Sequence, residues 1–106
     1  MKNLGDLMKQ AQQLQEKFEA AKARLAETEV EGTSGGGMVT VRLRGMGDLT
    51  RLVVDPTLLA PGEAEILTDL IIAAHADARR KLEAIQQELM RDAAGMFAGI
   101  PGLPTF

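Results

Sequence analysis

Apolar residues recur along the start of the chain at gaps that alternate between three and four positions. This spacing places a single narrow apolar stripe along a helix, and the Gln, Glu, Lys and Ala residues between the apolar positions have high helix propensity. Two apolar positions per heptad are typical of a coiled-coil seam. The pattern therefore predicts a helix over about residues 4–27 that packs against another helix. The stripe consists of Leu4, Leu7, Ala11, Leu14, Phe18, Ala21 and Leu25.

The middle of the chain changes to the alternation that is typical of strands. In MVTVRLR the apolar positions Val39, Val41 and Leu43 alternate with polar ones, which indicates a half-buried strand. TEVEGT before it predicts a weaker strand, and DLTRLVVD after the turn GMGD predicts a third strand in which Leu52 and Val54 share a face. The short turns between the segments imply an antiparallel meander.

A second helix is predicted over about residues 62–94, after a connector in which Pro56 starts a single turn capped by Asp55. The first half of this helix carries an apolar face that is wide enough to cover a sheet. Beyond His75 the face narrows to two positions per heptad, so we expect this half to pack on the first helix as an arm that projects from the sheet. The wide face comprises Ile66, Leu67, Leu70, Ile71 and Ala74, and the narrow one Ala78, Leu82, Ile85 and Leu89.

These elements predict an α+β fold with the order α-β-β-β-α, in which two long helices accompany a three-stranded antiparallel sheet. We expect residues 1–94 to form a single domain. Residues 95–106 are apolar but rich in Gly and Pro, so we expect them to form a flexible tail. Three strands leave edges that invite pairing, and a homodimer that buries a sheet edge or a sheet face is therefore expected.

The residue types argue against an enzyme. The chain has no cysteine, which excludes disulfides and thiolate metal sites, and a single histidine, His75. His75 falls on the seam of the second helix, where packing or a polar contact explains it better than acid–base chemistry. The glycine run in EGTSGGGMV joins two predicted strands and lacks the Gly-Lys-Ser/Thr of a phosphate loop, so it predicts a hairpin. We expect no catalytic residue, no metal and no cofactor.

Size and hydropathy set the expected location. A chain of 106 residues is long enough for one domain. No N-terminal apolar run resembles a signal peptide, and no stretch is long enough to span a membrane. The protein is therefore expected in the cytoplasm, without a membrane partner.

Charge is distributed unevenly along the chain. The formal net charge is −3, yet residues 1–25 carry five bases and three acids, a local charge of +2. Heptad numbering gathers bases on one flank of each helical seam and places Asp77 and Glu83 on the opposite flank of the second helix. Two interpretations stay open: ordinary solvated faces, with Asp77 and Lys81 as a helical ion pair, or two basic flanks that line one groove for nucleic-acid phosphates. No aromatic residue lies among the bases, so stacking on single strands is not expected.

Several motifs resemble one known family. DLMKQAQQLQEKF, EVEGTSGGGMVTV, VVDPTLL, ADARRKLE and the tail GMFAGIPGLPTF follow, in the same order, the patterns of the YbaB/EbfC family of bacterial nucleoid-associated proteins. The resemblance covers nearly the whole chain. It implies an α-β-β-β-α protomer and a tweezer-like homodimer, joined through the sheets, from which helical arms project.

The resemblance also implies a function and a set of residues. The family binds double-stranded DNA, associates with the nucleoid and influences gene expression, and its genes often lie near recombination-repair genes, so recombination-repair or nucleoid proteins are further candidate partners. One position, Val53, departs from the polar residue of the family pattern and leaves the extent of the dimer contact open. The matching motifs carry the DNA-binding role to Lys9, Gln10, Arg79 and Arg80, and the charge pattern adds Lys2, Lys17, Arg24 and Lys81.

A protein-interaction scaffold is the alternative function. The acidic total charge and the apolar tail residues Phe97, Ile100 and Phe106 favour it. In that case the helical arms or the tail would bind a protein partner in place of DNA.

Overall fold

Two long helices and a three-stranded antiparallel sheet make up the computed structural model, which describes residues 4–95 apart from the side chains of residues 93 and 94. The predicted α+β fold and its element order are confirmed. The elements are α1 (Leu4–Glu27), β1 (Glu29–Ser34), β2 (Val39–Arg44), β3 (Asp48–Val54) and α2 (Ala64–Gly95), with short 3-10 turns at Gly35–Gly37 and Pro56–Leu59.

The core lies between α2 and the face of the sheet that α2 covers. The alternation in β2 is confirmed, because Val39, Val41 and Leu43 are buried against α2 while the residues between them face the other way. Small side chains at Ala74 and Ala78 let α2 approach β1 and β2 closely. Leu58 and Leu82 complete the set of buried apolar residues in the described chain.

A β-bulge gives β3 a pattern that alternation alone does not predict. In the register of β2 and β3, Arg42 lies opposite Arg51 but Leu43 lies opposite Leu49, so one extra residue is accommodated between them. Residues directly opposite each other share a face of the sheet. The bulge therefore places Leu49 on the same face as Leu52, which lies opposite Val41.

The free edge of β1 is covered by side chains from α2. The backbone N–H of Thr33 donates to the Asp77 carboxylate at 3.0 Å, and the Lys81 ammonium donates to the carbonyl of Glu31 at 2.8 Å. The Ser34 hydroxyl in turn donates to the Leu70 carbonyl of α2. Because unpaired backbone groups on an edge strand invite association, these bonds leave β3 as the open edge of the sheet.

The predicted two-helix arm is present where α1 meets the second half of α2. Leu25, the last half-buried apolar residue of α1, packs against the core. The molecule is elongated, with extents of 75 × 22 × 16 Å. Across the described length of α1 no residue is fully buried, and near its start Leu4 is 72% exposed and Leu7 58% exposed. The seam is therefore covered at the base of the arm and open at its tip.

Two other expectations meet different outcomes. The turn at Pro56–Leu59 is capped by Asp55, as predicted, through hydrogen bonds from the N–H and hydroxyl of Thr57. The predicted packing of His75 is wrong, because α2 turns Ala74 and Ala78 toward the sheet and leaves His75 exposed beside a cleft. The predicted tail begins at the last residue of α2, and residues 96–106 lie outside the described structure.

Gly32 marks the closest approach of the sheet to α2. A Cβ atom placed on Gly32 would lie 2.7 Å from the Cβ of Ala78 and still closer to the Ala74 carbonyl oxygen and the Ala78 amide nitrogen. Backbone atoms in a packed helix cannot move aside cheaply. Only glycine at this position therefore allows β1 and α2 to meet as they do.

We predict that Gly32→Ala lowers the free energy of unfolding by about 3 kcal/mol or more, because the added methyl group overpacks the contact between sheet and helix. Gly36→Ala is the matched control, since Gly36 has a φ of 67° but nothing within 4 Å of an added Cβ. This control should lower the free energy of unfolding only by the strain of the left-handed backbone, about 1–2 kcal/mol. Urea unfolding followed by circular dichroism measures both variants, and equal losses would show that space at Gly32 is not limiting.

Candidate nucleic-acid interface

One polar stripe on α1 carries bases that form no ion pair with a described acid. Gln10, Lys17 and Arg24 recur every seven residues and so lie along one flank of the helix, about 10 Å apart, with Lys9 beside them. All four side chains are exposed. Within residues 4–95 no acid pairs with Lys9, Lys17 or Arg24. The stripe therefore offers three uncompensated positive charges to the solvent.

The bases of α2 are compensated. Arg79 pairs with Glu83 at 3.1 Å, one helical turn further on. Arg80 and Lys81 both pair with Asp77, at 3.5 and 3.2 Å. The expectation that Asp77 and Glu83 lie on a flank away from these bases is wrong, because residues three and four apart on a helix are neighbours.

The three bases of α2 also point in different directions. Arg79 lines the cleft between α2 and the turn before β3, together with His75 and Met46. Lys81 lies on the other side of the helix, where its ammonium binds the edge of β1. Arg80 lies between them, with 70% of its side chain exposed. They do not form a single basic flank in one protomer.

The base of the arm separates the two groups of bases. Arg24 of α1 and Thr28, which follows the helix, share a cleft with Glu88 and Asp92 of α2, so acidic side chains lie at this junction. Of the predicted DNA-binding residues, Lys9, Gln10, Lys17 and Arg24 lie together on α1, and Arg79, Arg80 and Lys81 lie nearer the sheet. Lys2 lies outside the described residues.

An apolar surface beside β3 is a second feature of the site, and sequence reasoning missed it. Leu49 and Leu52 lie on the face of the sheet that α2 covers elsewhere, yet they are 58% and 43% exposed. Met46 in the turn before β3 and Ile72 on α2 are exposed as well, and α2 packs across β1 and β2 and leaves β3 uncovered. We call this surface, made of Met46, Leu49, Leu52 and Ile72, the β3 patch. The feature of the sequence that could have indicated this patch is the apolar Met46 inside the predicted turn GMGD.

The Asp77 carboxylate is the main electrostatic contact between α2 and the sheet. The hydrogen bond from the Thr33 N–H lowers the pKa of Asp77 below its ordinary value, and the Lys81 ammonium lowers it further. In the same way the hydroxyl and the N–H of Thr57 lower the pKa of Asp55. Both carboxylates are stabilised in their charged form by the fold.

Two kinds of site are absent from the described part of the chain. Residues 4–95 contain no cluster of three or more His, Asp or Glu side chains that could hold a metal ion. Among the helices described, none combines the length and the apolar character that crossing a bilayer requires.

Comparison with known proteins connects this geometry to a family. The sequence profile of the YbaB/EbfC DNA-binding family matches residues 1–97. A nucleoid-associated protein of Phenylobacterium zucineum is 61% identical over 104 residues, which cover 98% of this chain and 97% of the relative. A nucleoid-associated protein of Caulobacter sp. strain K31 is 62% identical over 102 residues, covering 96% and 94%.

A solved structure has the same fold. The crystal structure of an uncharacterized protein of Helicobacter pylori superimposes with a TM-score of 0.73 and covers 87% of this chain and 97% of that one. The two sequences are 24% identical, so this likeness concerns the fold alone.

Acid should destabilise the fold partly through Asp77. A carboxyl group whose pKa is lower in the folded than in the unfolded state stabilises the fold above its unfolded pKa, and this contribution disappears as the pH falls through the folded pKa. Between pH 5 and about pH 3, the urea midpoint of Asp77→Asn should therefore fall less than that of the unmodified protein. Asp69→Asn, at an exposed position on the same helix, is the control. Its urea midpoint should fall with pH as much as that of the unmodified protein. An unchanged pH dependence in Asp77→Asn would contradict the role of this carboxylate.

Proposed function

Since the chain belongs to the YbaB/EbfC DNA-binding family, we propose that it is a nucleoid-associated protein that binds double-stranded DNA as a homodimer through its helical arms, with low sequence specificity. Its place is the nucleoid in the cytoplasm, where it influences nucleoid organisation and gene expression. The observation that carries this proposal is the uncompensated basic stripe of α1, which lies on the exposed arm of a chain whose relatives are nucleoid-associated proteins.

The α1 stripe supplies the main contacts with DNA. Lysine and arginine side chains that neutralise phosphates release counterions, which provides affinity without reading sequence. Gln10 stands between the bases and donates to phosphates or base edges. Arg79 and Arg80 join these contacts by exchanging their carboxylate partners for phosphates, at some energetic cost. Lys81 contributes less than the α1 bases, because its ammonium already donates to the carbonyl of Glu31 at the β1 edge. Lys2, which lies outside the described residues, is a further proposed contact.

The acidic total charge is compatible with this binding mode. Four of the acids take part in ion pairs inside the protomer: Glu29 and Glu31 pair with Arg42, Asp77 pairs with Arg80 and Lys81, and Glu83 pairs with Arg79. The acids that remain do not pair with the three bases of the α1 stripe. The local charge of the arm, and not the net charge of −3, determines what the arm attracts.

The β3 patch is the surface we assign to the dimer. It combines exposed apolar side chains with the open edge of the sheet, whereas the edge of β1 is already covered by Asp77 and Lys81. Exposed apolar patches on small domains mark association surfaces. Pairing two copies here joins the sheets and leaves both arms free to project, and Val53 on the opposite face of β3 stays outside the contact.

A protein-interaction scaffold is the second candidate. The exposed apolar residues Leu4, Leu7 and Met8 at the arm tip favour it, because a purely DNA-binding arm has no need of them. If the protein is a scaffold, its candidate partners are recombination-repair or nucleoid proteins. Failure of the purified protein to bind duplex DNA at low salt, together with retention of a specific protein partner, would favour the scaffold.

Gel shifts on unrelated DNA duplexes across a salt series test the DNA-binding proposal. We expect binding that weakens steeply with salt, and each of Lys9→Gln and Lys17→Gln should lower the slope of log affinity against log salt by about 1. Arg51→Gln removes the same charge from the outer face of the sheet and should leave the slope unchanged. Equal effects of the three substitutions would place the contact outside the arm, and salt-independent binding would contradict phosphate contacts altogether.

The oligomeric state tests the dimer surface separately. Leu52→Glu places a charge in the β3 patch and should convert the dimer to a monomer, as measured by light scattering during size-exclusion chromatography, because burying an unpaired carboxylate is strongly unfavourable. Met8→Glu, at an apolar residue on the arm that is 71% exposed against 43% for Leu52, should leave the dimer intact. A dimer in both variants would show that the chains join elsewhere.

A further inference from the structure

A pair of charged residues on α2 covers the outer backbone edge of β1. Asp77 accepts a hydrogen bond from the N–H of Thr33 at 3.0 Å, and Lys81 donates to the carbonyl of Glu31 at 2.8 Å. The two side chains also pair with each other at 3.2 Å. We call Asp77 and Lys81 the latch, since together they satisfy one N–H and one C=O of the edge strand.

The latch makes the bonds that one residue of an added strand would make. In a parallel ladder, a residue placed beside Gly32 donates its N–H to the carbonyl of Glu31 and accepts the N–H of Thr33 with its own carbonyl. The ammonium and the carboxylate of the latch take these same two positions. Because 53% of the Lys81 side chain is exposed, it can leave the edge without disturbing the core. The edge therefore has the geometry to accept an extended peptide.

Charges on the outer face of the sheet indicate which side chains such a peptide would carry. Glu29 and Glu31 lie on this face of β1, and both pair with a single guanidinium, that of Arg42, at 3.8 and 3.1 Å. Two carboxylates that share one cation leave one negative charge beside the edge. Because opposite charges on neighbouring strands stabilise the pairing, the peptide side chains on this face should be basic.

The other face of the edge is bounded by an apolar part of α2. Ile66, Leu70 and Ala73 precede the latch at spacings of three and four residues, so they lie on the same side of the helix as the latch. The hydroxyl of Ser34 donates to the Leu70 carbonyl, which places this part of α2 beside the end of β1. Since successive side chains of a strand point to opposite faces, apolar residues should alternate with the basic ones.

We propose that the edge of β1 is a binding site for an extended peptide in which basic residues alternate with apolar ones, and that the latch closes this site when no such peptide is bound. In recognition by strand addition, main-chain hydrogen bonds provide affinity and the alternate side chains provide specificity. Neither DNA binding nor the β3 patch enters this inference.

A short fluorescent peptide of alternating Lys and Val residues tests the site by fluorescence anisotropy. Lys81→Met should bind this peptide roughly tenfold more tightly than the unmodified protein, because the Glu31 carbonyl is released. Arg91→Met is the control, since it removes a cation from an exposed position about 15 Å further along α2. It should leave the affinity unchanged. A peptide of alternating Glu and Val should bind roughly tenfold more weakly to each protein, or weaker still.

Backbone variants separate strand addition from attraction between charges. In the chain that carries Lys81→Met, the further change Thr33→Pro removes the edge N–H at constant charge and should lower the affinity roughly tenfold or more. Thr33→Val keeps this N–H and should leave the affinity unchanged. Circular dichroism verifies that each variant is folded.

Equal affinity of Lys81→Met and the unmodified protein would overturn the proposal, as would equal affinity of the Thr33→Pro and Thr33→Val chains. Should a variant fail to fold, the unmodified protein decides. A saturating concentration of the Lys and Val peptide should then shift the amide NMR signals of Glu31 and Thr33 more than those of β3, and the absence of this pattern would overturn the proposal. These measurements are made without DNA, so their failure leaves the DNA-binding proposal untouched.

Discussion

The close contact between α2 and β1 is the constraint on which the rest of the structure depends. Gly32 lets the backbone of β1 meet the backbone of α2 at Ala74 and Ala78, and Asp77 and Lys81 on the same helix then bind the edge of the strand. This contact buries the apolar face of β2 and fixes the line along which α2 leaves the sheet. The direction of the arm follows from that line.

The same contact divides the charged residues of α2 between two tasks. Asp77 and Lys81 hold helix to sheet, and their geometry is part of the fold. Arg79 and Arg80 face outward with acids beside them, so their charge reaches the solvent only in part. The uncompensated bases lie instead on α1, which is far less buried. The bases that form no described ion pair thus lie on an element without a buried residue, where a long polyanion can be reached without displacing the core.

Incomplete coverage of the sheet connects the fold to its association. A helix that packs across β1 and β2 leaves β3 with exposed apolar side chains and an open edge. Other apolar side chains, among them Leu4, Leu7 and Met8, are exposed as well, but these three lie on the arm and away from the sheet. The proposed dimer would remove both exposed features at once while leaving the arms free.

Local pattern in the sequence was enough to determine the helices, the three strands, the buried face of β2, the Asp55 cap and the family, because each depends on residues close together in the chain. The basic stripe of α1 could be predicted for the same reason, since seven-residue spacing along one helix is a local property. Only the tertiary structure decided which edge of the sheet is covered, that His75 is exposed, and that Lys81 is engaged by β1, since each depends on how α2 is rotated on the sheet. The tertiary structure also decided which residues form the β3 patch, because the register shift between Arg42 and Leu43 changes the face of the sheet on which Leu49 lies. The alternation of apolar residues within one strand does not determine how that strand pairs with its neighbour.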